Sequence, residues 1–154
     1  MGQVKKRKVF LTGFTLIEVL LAAGILAFGI CGVLVTYLTL FVFSDLNRNF
    51  TLAANSLQAK MEEMKRTNFA TLPSLQGTTF NINGFSSSDA KGRIEVSDTD
   101  YSDLKRVRLI ICLRSRGRVI GEDANLDGVL NSGEDSNGNG RLDSPLEVIG
   151  LVVR

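Results

Sequence analysis

An apolar run from Phe14 to Phe43 sets the first limit on what this 154-residue chain can fold into. From Val19 to Val35 no side chain is charged or carries a hydroxyl or amide. At about 1.5 Å per residue, a helix over this run is long enough to cross the roughly 30 Å of hydrocarbon in a bilayer. The run also exceeds the apolar stretch of a removable secretory signal. It therefore predicts a retained transmembrane helix at 14–43, in contact with membrane lipid. Lys5, Lys6, Arg7 and Lys8 precede it and few charges follow it closely. The positive-inside rule then predicts a single pass with the N-terminus cytoplasmic and the remainder outside.

The charge balance narrows the function classes. Formal net charge is +2, and without the four leading basic residues it becomes +2 − 4 = −2, so a global basic surface for nucleic acid is not expected. The chain has no histidine, which excludes imidazole acid–base chemistry and imidazole ligation of zinc. No acid, base and nucleophile can be grouped into a catalytic set, and a non-enzymatic role is expected. The two cysteines, Cys31 in the apolar run and Cys112 far downstream, are read as free, buried thiols.

Glu18 stands out because it places a lone carboxylate one turn into the apolar run. A charge at that depth costs on the order of 3 kcal/mol unless it is paired or held near the headgroups. The string Gly13-Phe14-Thr15-Leu16-Ile17-Glu18-Val19-Leu20, behind a short basic leader, closely resembles the N-terminus of type IV pilins and type II secretion pseudopilins. The resemblance implies that a prepilin peptidase cuts between Gly13 and Phe14 and N-methylates Phe14, removing residues 1–13. The mature chain would have 154 − 13 = 141 residues. It further implies that Glu18 pairs with the α-amino group of Phe14 in a neighbouring subunit, with other pilins or pseudopilins as partners. The setting would be the bacterial inner membrane, followed by an extracellular or periplasmic filament. The segment SLQAKMEEMK also resembles the same region of minor pilins of the PilV type and minor pseudopilins. The likeness covers mainly residues 5–66 and does not separate adhesion pili, DNA uptake and type II secretion. The rival expectation is a stand-alone, signal-anchored calcium-binding module that never polymerises. The only prolines are Pro73 and Pro145, so Gly29 and Gly32 are expected to supply any local unwinding that a filament needs.

Beyond the membrane, Phe43, Leu46, Phe50, Ala53, Leu57, Met61 and Met64 recur at spacings of three and four. This predicts an amphipathic continuation of the helix over 44–66. Thr67 to Gly77, with Pro73, reads as a connector. Strand-like runs follow at 78–83, 92–98, 104–115 and 146–154, rich in β-branched residues and separated by turn residues. In the third run, Leu104, Val107, Leu109, Ile111 and Leu113 alternate with Lys105, Arg106, Arg108 and Arg114, which predicts one wet face. Together these predict an α+β, pilin-like fold: a long N-terminal helix packed on a small antiparallel sheet over 67–154. The cations of this region, with Arg116 and Arg118, have no aromatic residues interleaved to stack on bases, so nucleic acid is not an expected partner.

The acidic stretch 121–145 carries the most specific chemistry of the soluble part. Asp123, Asn125, Asp127, Gly128, Val129, Asn131 and Glu134 occupy positions 1, 3, 5, 6, 7, 9 and 12 of the calcium-loop pattern. Alternate oxygens can curl around one ion, Gly128 permits the turn, Val129 offers its carbonyl, and Glu134 closes the shell. A second register starts at once, with Asp135, Asn137, Asn139, Arg141 and Asp143 at positions 1, 3, 5, 7 and 9. Its position 12 is Leu146, so this register either shares ligands with the first loop or binds weakly. Strand-like rather than helical sequence flanks both loops, which favours an ion that staples a long connection over a sensor that opens.

Overall fold

The computed structural model describes residues 13–154. Lys5, Lys6, Arg7 and Lys8, with the rest of the leader before Gly13, lie outside the described residues. The chain has a long N-terminal helix and a small five-stranded antiparallel sheet, an α+β fold. It divides into two compact units, one ending at Phe43 and the other running from Ser44 to Arg154.

Helix α1 spans Leu16–Arg66 and is unbroken through Gly29 and Gly32. In the first unit its apolar side chains are exposed, and its best eighteen-residue window has a mean hydropathy of 2.5. It is thus long and apolar enough to cross a membrane. Both threonine hydroxyls inside the helical stretch are satisfied locally, since Thr36 donates to the Gly32 carbonyl and Thr39 to the Val35 carbonyl, each at 2.9 Å. That matters in lipid, where no water can replace a missing partner.

In the second unit the stripe of α1 that the periodicity marked becomes a core face. Ala53, Leu57, Met61 and Met64 are buried, and Phe50 packs against their cluster. The chain then turns through a 3₁₀ helix at Phe69–Leu75, where the sequence suggested only a connector; the Asn68 side chain caps it by accepting from the Ala70 N–H at 3.0 Å. Five strands follow: β1 Thr79–Phe80, β2 Ala90–Asp98, β3 Leu104–Ser115, β4 Arg118–Ile120 and β5 Glu147–Val153. Strand β3 is central, with β2 along one edge and both β4 and β5 on the other, β5 beside Leu104–Ile110 and β4 beside Leu113–Ser115. Its inner face, Val107, Leu109, Ile111 and Leu113, joins the helical residues in one cluster with Ile94 and Val152. Gly150 allows close packing there, because a Cβ would lie 2.7 Å from the Met61 sulfur.

Three expectations are corrected. The first strand is two residues long rather than six. The stretch after Ser115 is not all connection, because Arg116 and Gly117 take φ of 50° and 79° and turn the chain into β4. Two consecutive positive φ values match the twist of a two-residue hairpin. Finally, β3 does not have one wet face, since every residue from Val107 to Leu113 is buried. The acidic loop covers the other side.

Candidate metal centre

The loop 121–145 leaves from β4 and returns into β5 at the same edge of β3. It is held by a second apolar cluster in which Leu126 and Leu142 bury against Cys112, with Val119 and Leu130 around them. Leu130 and Leu142 both stand at position 8 of their registers, so each half contributes an anchor from the same place.

The first register is assembled as a ring of hydrogen bonds. Asp123 is fully buried and its two carboxylate oxygens accept from the backbone N–H of Asp127 at 3.1 Å and Gly128 at 2.7 Å. Asn125 Oδ1 accepts from the Asp127 N–H, and Asp127 Oδ1 from the Val129 N–H at 2.7 Å. Asp127 Oδ2 receives the side-chain amides of Asn125 and Asn131, at 3.0 and 3.1 Å. Glu134 closes the ring, with Oε1 accepting from the Ala124 N–H at 2.9 Å and Oε2 from the Asn131 N–H at 2.9 Å. All six proposed donor residues are thereby brought into one loop. Gly128 has φ 81°, and a Cβ there would sit 2.4 Å from the Thr79 methyl, so turn and packing both require glycine. Arg93 donates to the Gly128 carbonyl and fixes this loop to β2.

The second register repeats the same bonds. Asp135 accepts from the N–H groups of Asn139 at 3.1 Å and Gly140 at 2.8 Å, Asn137 Oδ1 from Asn139, and Asn139 Oδ1 from Arg141. Asp143 Oδ2 collects the amides of Asn137 and Asn139 at 2.8 and 2.6 Å. The backbone agrees, because Leu126 and Gly128 have φ of 61° and 81° where Gly138 and Gly140 have 71° and 72°. Arg141 brings its backbone to position 7, while its guanidinium lies 3.9 Å from Glu95.

The closing carboxylate of this second loop was missed at the level of sequence. Leu146 does occupy position 12, and it is buried in the main core. Its place is filled by Glu122, whose Oε1 accepts from Ser136 at position 2 and whose Oε2 accepts from Asp143 at position 9, both at 3.2 Å. Glu134 makes the equivalent bonds in the first loop. The signal was present as a twelve-residue repeat, GEDANLDGVLNS at 121–132 and GEDSNGNGRLDS at 133–144, identical at seven positions. Read forwards from its aspartate, the second motif lacks a glutamate. Read as a repeat, each unit carries as its second residue the glutamate that closes the other.

The electrostatics follow the burial. Burial raises the Asp123 carboxyl above the ordinary range, against the pull of the Gly128 and Asp127 N–H groups. Asp127 is lowered, chiefly by the Val129 N–H and the Asn131 amide. Asp143 is lowered by the Asn137 and Asn139 amides, and then by Arg108. Arg108 is 5% exposed and binds the Leu142 carbonyl, Asp143, Glu95 and Glu147 at 2.6–3.0 Å, tying the second loop to β2 and β5. Among the described residues, no three carboxylates or thiols are grouped as a ready-made ligand set. The donors themselves are hard oxygens from carboxylates, amides and one backbone carbonyl per loop, the chemistry that suits Ca²⁺.

The residues for which the sequence suggested processing and assembly roles lie in the other unit. Gly13 and Phe14 precede α1 and are exposed, and Glu18 sits in its first turn, where the helix dipole favours a carboxylate. No protein-family model, curated protein or solved structure matches the chain.

Proposed function

We propose that the chain is a non-enzymatic minor pilin or pseudopilin, a structural subunit of a type IV pilus or type II secretion filament. Prepilin peptidase cuts after Gly13, and the apolar half of α1 holds the subunit in the bacterial inner membrane with its C-terminal unit on the periplasmic side. One observation carries this reading: Gly13-Phe14 and Glu18 stand in prepilin spacing directly before an uninterrupted apolar helix. A lone acid in that place gains most from the α-amino group of a neighbour, which turns a costly charge into a register-setting contact.

In this reading the acidic loops hold calcium as staples. Asp123, Asn125, Asp127, the Val129 carbonyl, Asn131 and Glu134 supply one set of oxygens. Asp135, Asn137, Asn139, the Arg141 carbonyl, Asp143 and Glu122 supply the other. A bound cation would neutralise the carboxylates that the loop collects and fix the cover over the outer face of the sheet.

The test is made on the membrane-inserted protein. Mass spectrometry is expected to find a chain beginning at N-methylated Phe14, and Glu18→Ala is expected to insert normally yet to stop co-purifying with filament subunits. Normal assembly of that variant would instead favour a signal-anchored module that does not polymerise. For the ion, calcium is expected to raise the melting temperature and protect the loop from proteolysis, and Asp127→Ala to abolish both effects. A loop indifferent to calcium sinks that part alone.

A further inference from the structure

One cavity of the second unit is lined chiefly by hydrogen-bond donors. It has a volume of about 350 Å³, and its wall includes Gln76, Glu95, Ser97, Arg106, Arg108 and Arg141. The register sets Glu95 opposite Arg108 and Ser97 opposite Arg106, on the face of the sheet turned away from Ile94, Val107 and the main core. Gln76 comes from the cap of the 3₁₀ helix, and Arg141 from the second acidic loop. Four separate parts of the chain therefore converge on one space. Arg108 and the buried Leu142 hold that loop in place by contacts of their own.

The lining divides into groups already engaged and groups that are free. All five N–H groups of Arg108 are taken, by Glu95, Glu147, Asp143 and the Leu142 carbonyl. Arg108 therefore offers a ligand no donor, but it matches the one carboxylate of the wall, since Glu95 Oε2 lies 3.0 Å from it. The other oxygen of Glu95 is 3.7 Å from Arg93. Arg106 makes no ion pair among the described residues, and Arg141 approaches Glu95 only at 3.9 Å. The Gln76 carbonyl is taken by the Val96 N–H, which leaves its amide nitrogen free. What remains is two guanidinium forks, one amide nitrogen and the Ser97 hydroxyl, with no unmatched carboxylate among them.

We propose that this cavity binds a phosphate group, with Arg106 and Arg141 on its oxygens and Gln76 and Ser97 completing the shell. A guanidinium fork matches two oxygens of such a group at once. Donors that arrive from the helix cap, two strands and a loop suit a tetrahedral group with oxygens on every side better than a planar carboxylate. The inference depends on neither the ion nor filament membership.

The experiment is calorimetric titration of the full chain, in nonionic detergent micelles and chelator, with inorganic phosphate. Saturable binding is expected. Arg106→Gln and Arg141→Gln should each weaken it about tenfold or more, the loss that follows from removing a charge-assisted bond. Both variants should keep the parent melting temperature without phosphate, because neither side chain is engaged in the fold. Arg118→Gln removes the same charge from β4, outside the cavity, and should leave the affinity unchanged. Displacement of phosphate by glycerol phosphate assigns the site to a soluble phosphomonoester, and displacement only by micelles doped with phosphatidic acid assigns it to a lipid headgroup; either supports the proposal. No saturable binding, or acetate binding more tightly than phosphate, overturns it. So does equal weakening in all three variants, which would mean an adventitious ion only.

Discussion

Arg108 shows how one side chain can decide whether a surface loop belongs to the fold. Its guanidinium meets three carboxylates and one carbonyl while almost wholly buried. Burial alone would lower its pKa, yet Glu147 and Glu95 outweigh that and raise it. Removing one partner of a fully buried pair costs about 3–5 kcal/mol, and the loss of Arg108 lies below that because Glu95, Asp143 and Glu147 are partly exposed and regain water. Arg108→Ala is therefore expected to lower the melting temperature markedly and to expose 121–145 to protease, read by thermal denaturation and limited proteolysis. Gly128→Ala tests a different physical effect, since a left-handed φ and the Thr79 methyl both oppose a side chain. A left-handed φ alone costs about 1–2 kcal/mol, and the first loop should be the part that loosens. Asp143 gives a pH dependence of definite sign. Its folded pKa lies below the unfolded one, so its contribution is complete above the unfolded value of about 3.9 and is lost as pH falls through the folded value. Melting curves across this acid range should be flatter in Asp143→Asn than in the parent chain. Asp123 acts in the opposite sense, because its raised pKa makes protonation at low pH favour the folded state.

At the scale of elements, the helix and the central strand were plain in the sequence. Spacings of three and four located the buried stripe Ala53, Leu57, Met61 and Met64, and the bounds of β3 were read to the residue. Both are repeated local signals that tertiary packing then used. What escaped depended on contacts that periodicity does not encode. Ile110 and Cys112 sit among arginines on a nominally wet face yet are buried, Cys112 because Leu126 and Leu142 come down on it. Strand β4 was hidden by its turn, since Arg116 at positive φ gives no composition signal and only Gly117 hints at a reversal. Glu122 was hidden by reading order. If the two registers share glutamates across the repeat, Glu122→Gln is expected to reduce bound calcium from two ions to one per chain. Glu134→Gln should remove the other, and Leu146→Met should leave the count unchanged. Calorimetric stoichiometry checks all three.

At the scale of the whole molecule, two units of different surface chemistry share one helix. The apolar half has mean hydropathy suited to lipid and satisfies the hydroxyls of Thr36 and Thr39 internally, while the rest has its own core and its own charge network. The intact membrane-inserted chain should consequently show one cooperative unfolding transition for the sheet domain, with the apolar helix retaining its circular dichroism signal beyond it. A single transition that removes both signals together would contradict that division. The topology of the acidic loops has one further implication. Ile120 and Glu147, the residues that bracket the excursion, stand beside Leu113 and Ile110, three positions apart on one strand and about 10 Å from each other along it. An excursion that returns so near its departure point can change length without altering the register of the sheet. Because it is built from a twelve-residue unit, whole turns of this cassette can be added or removed by simple duplication or loss of its coding segment, giving the sheet domain a variable part on an invariant frame.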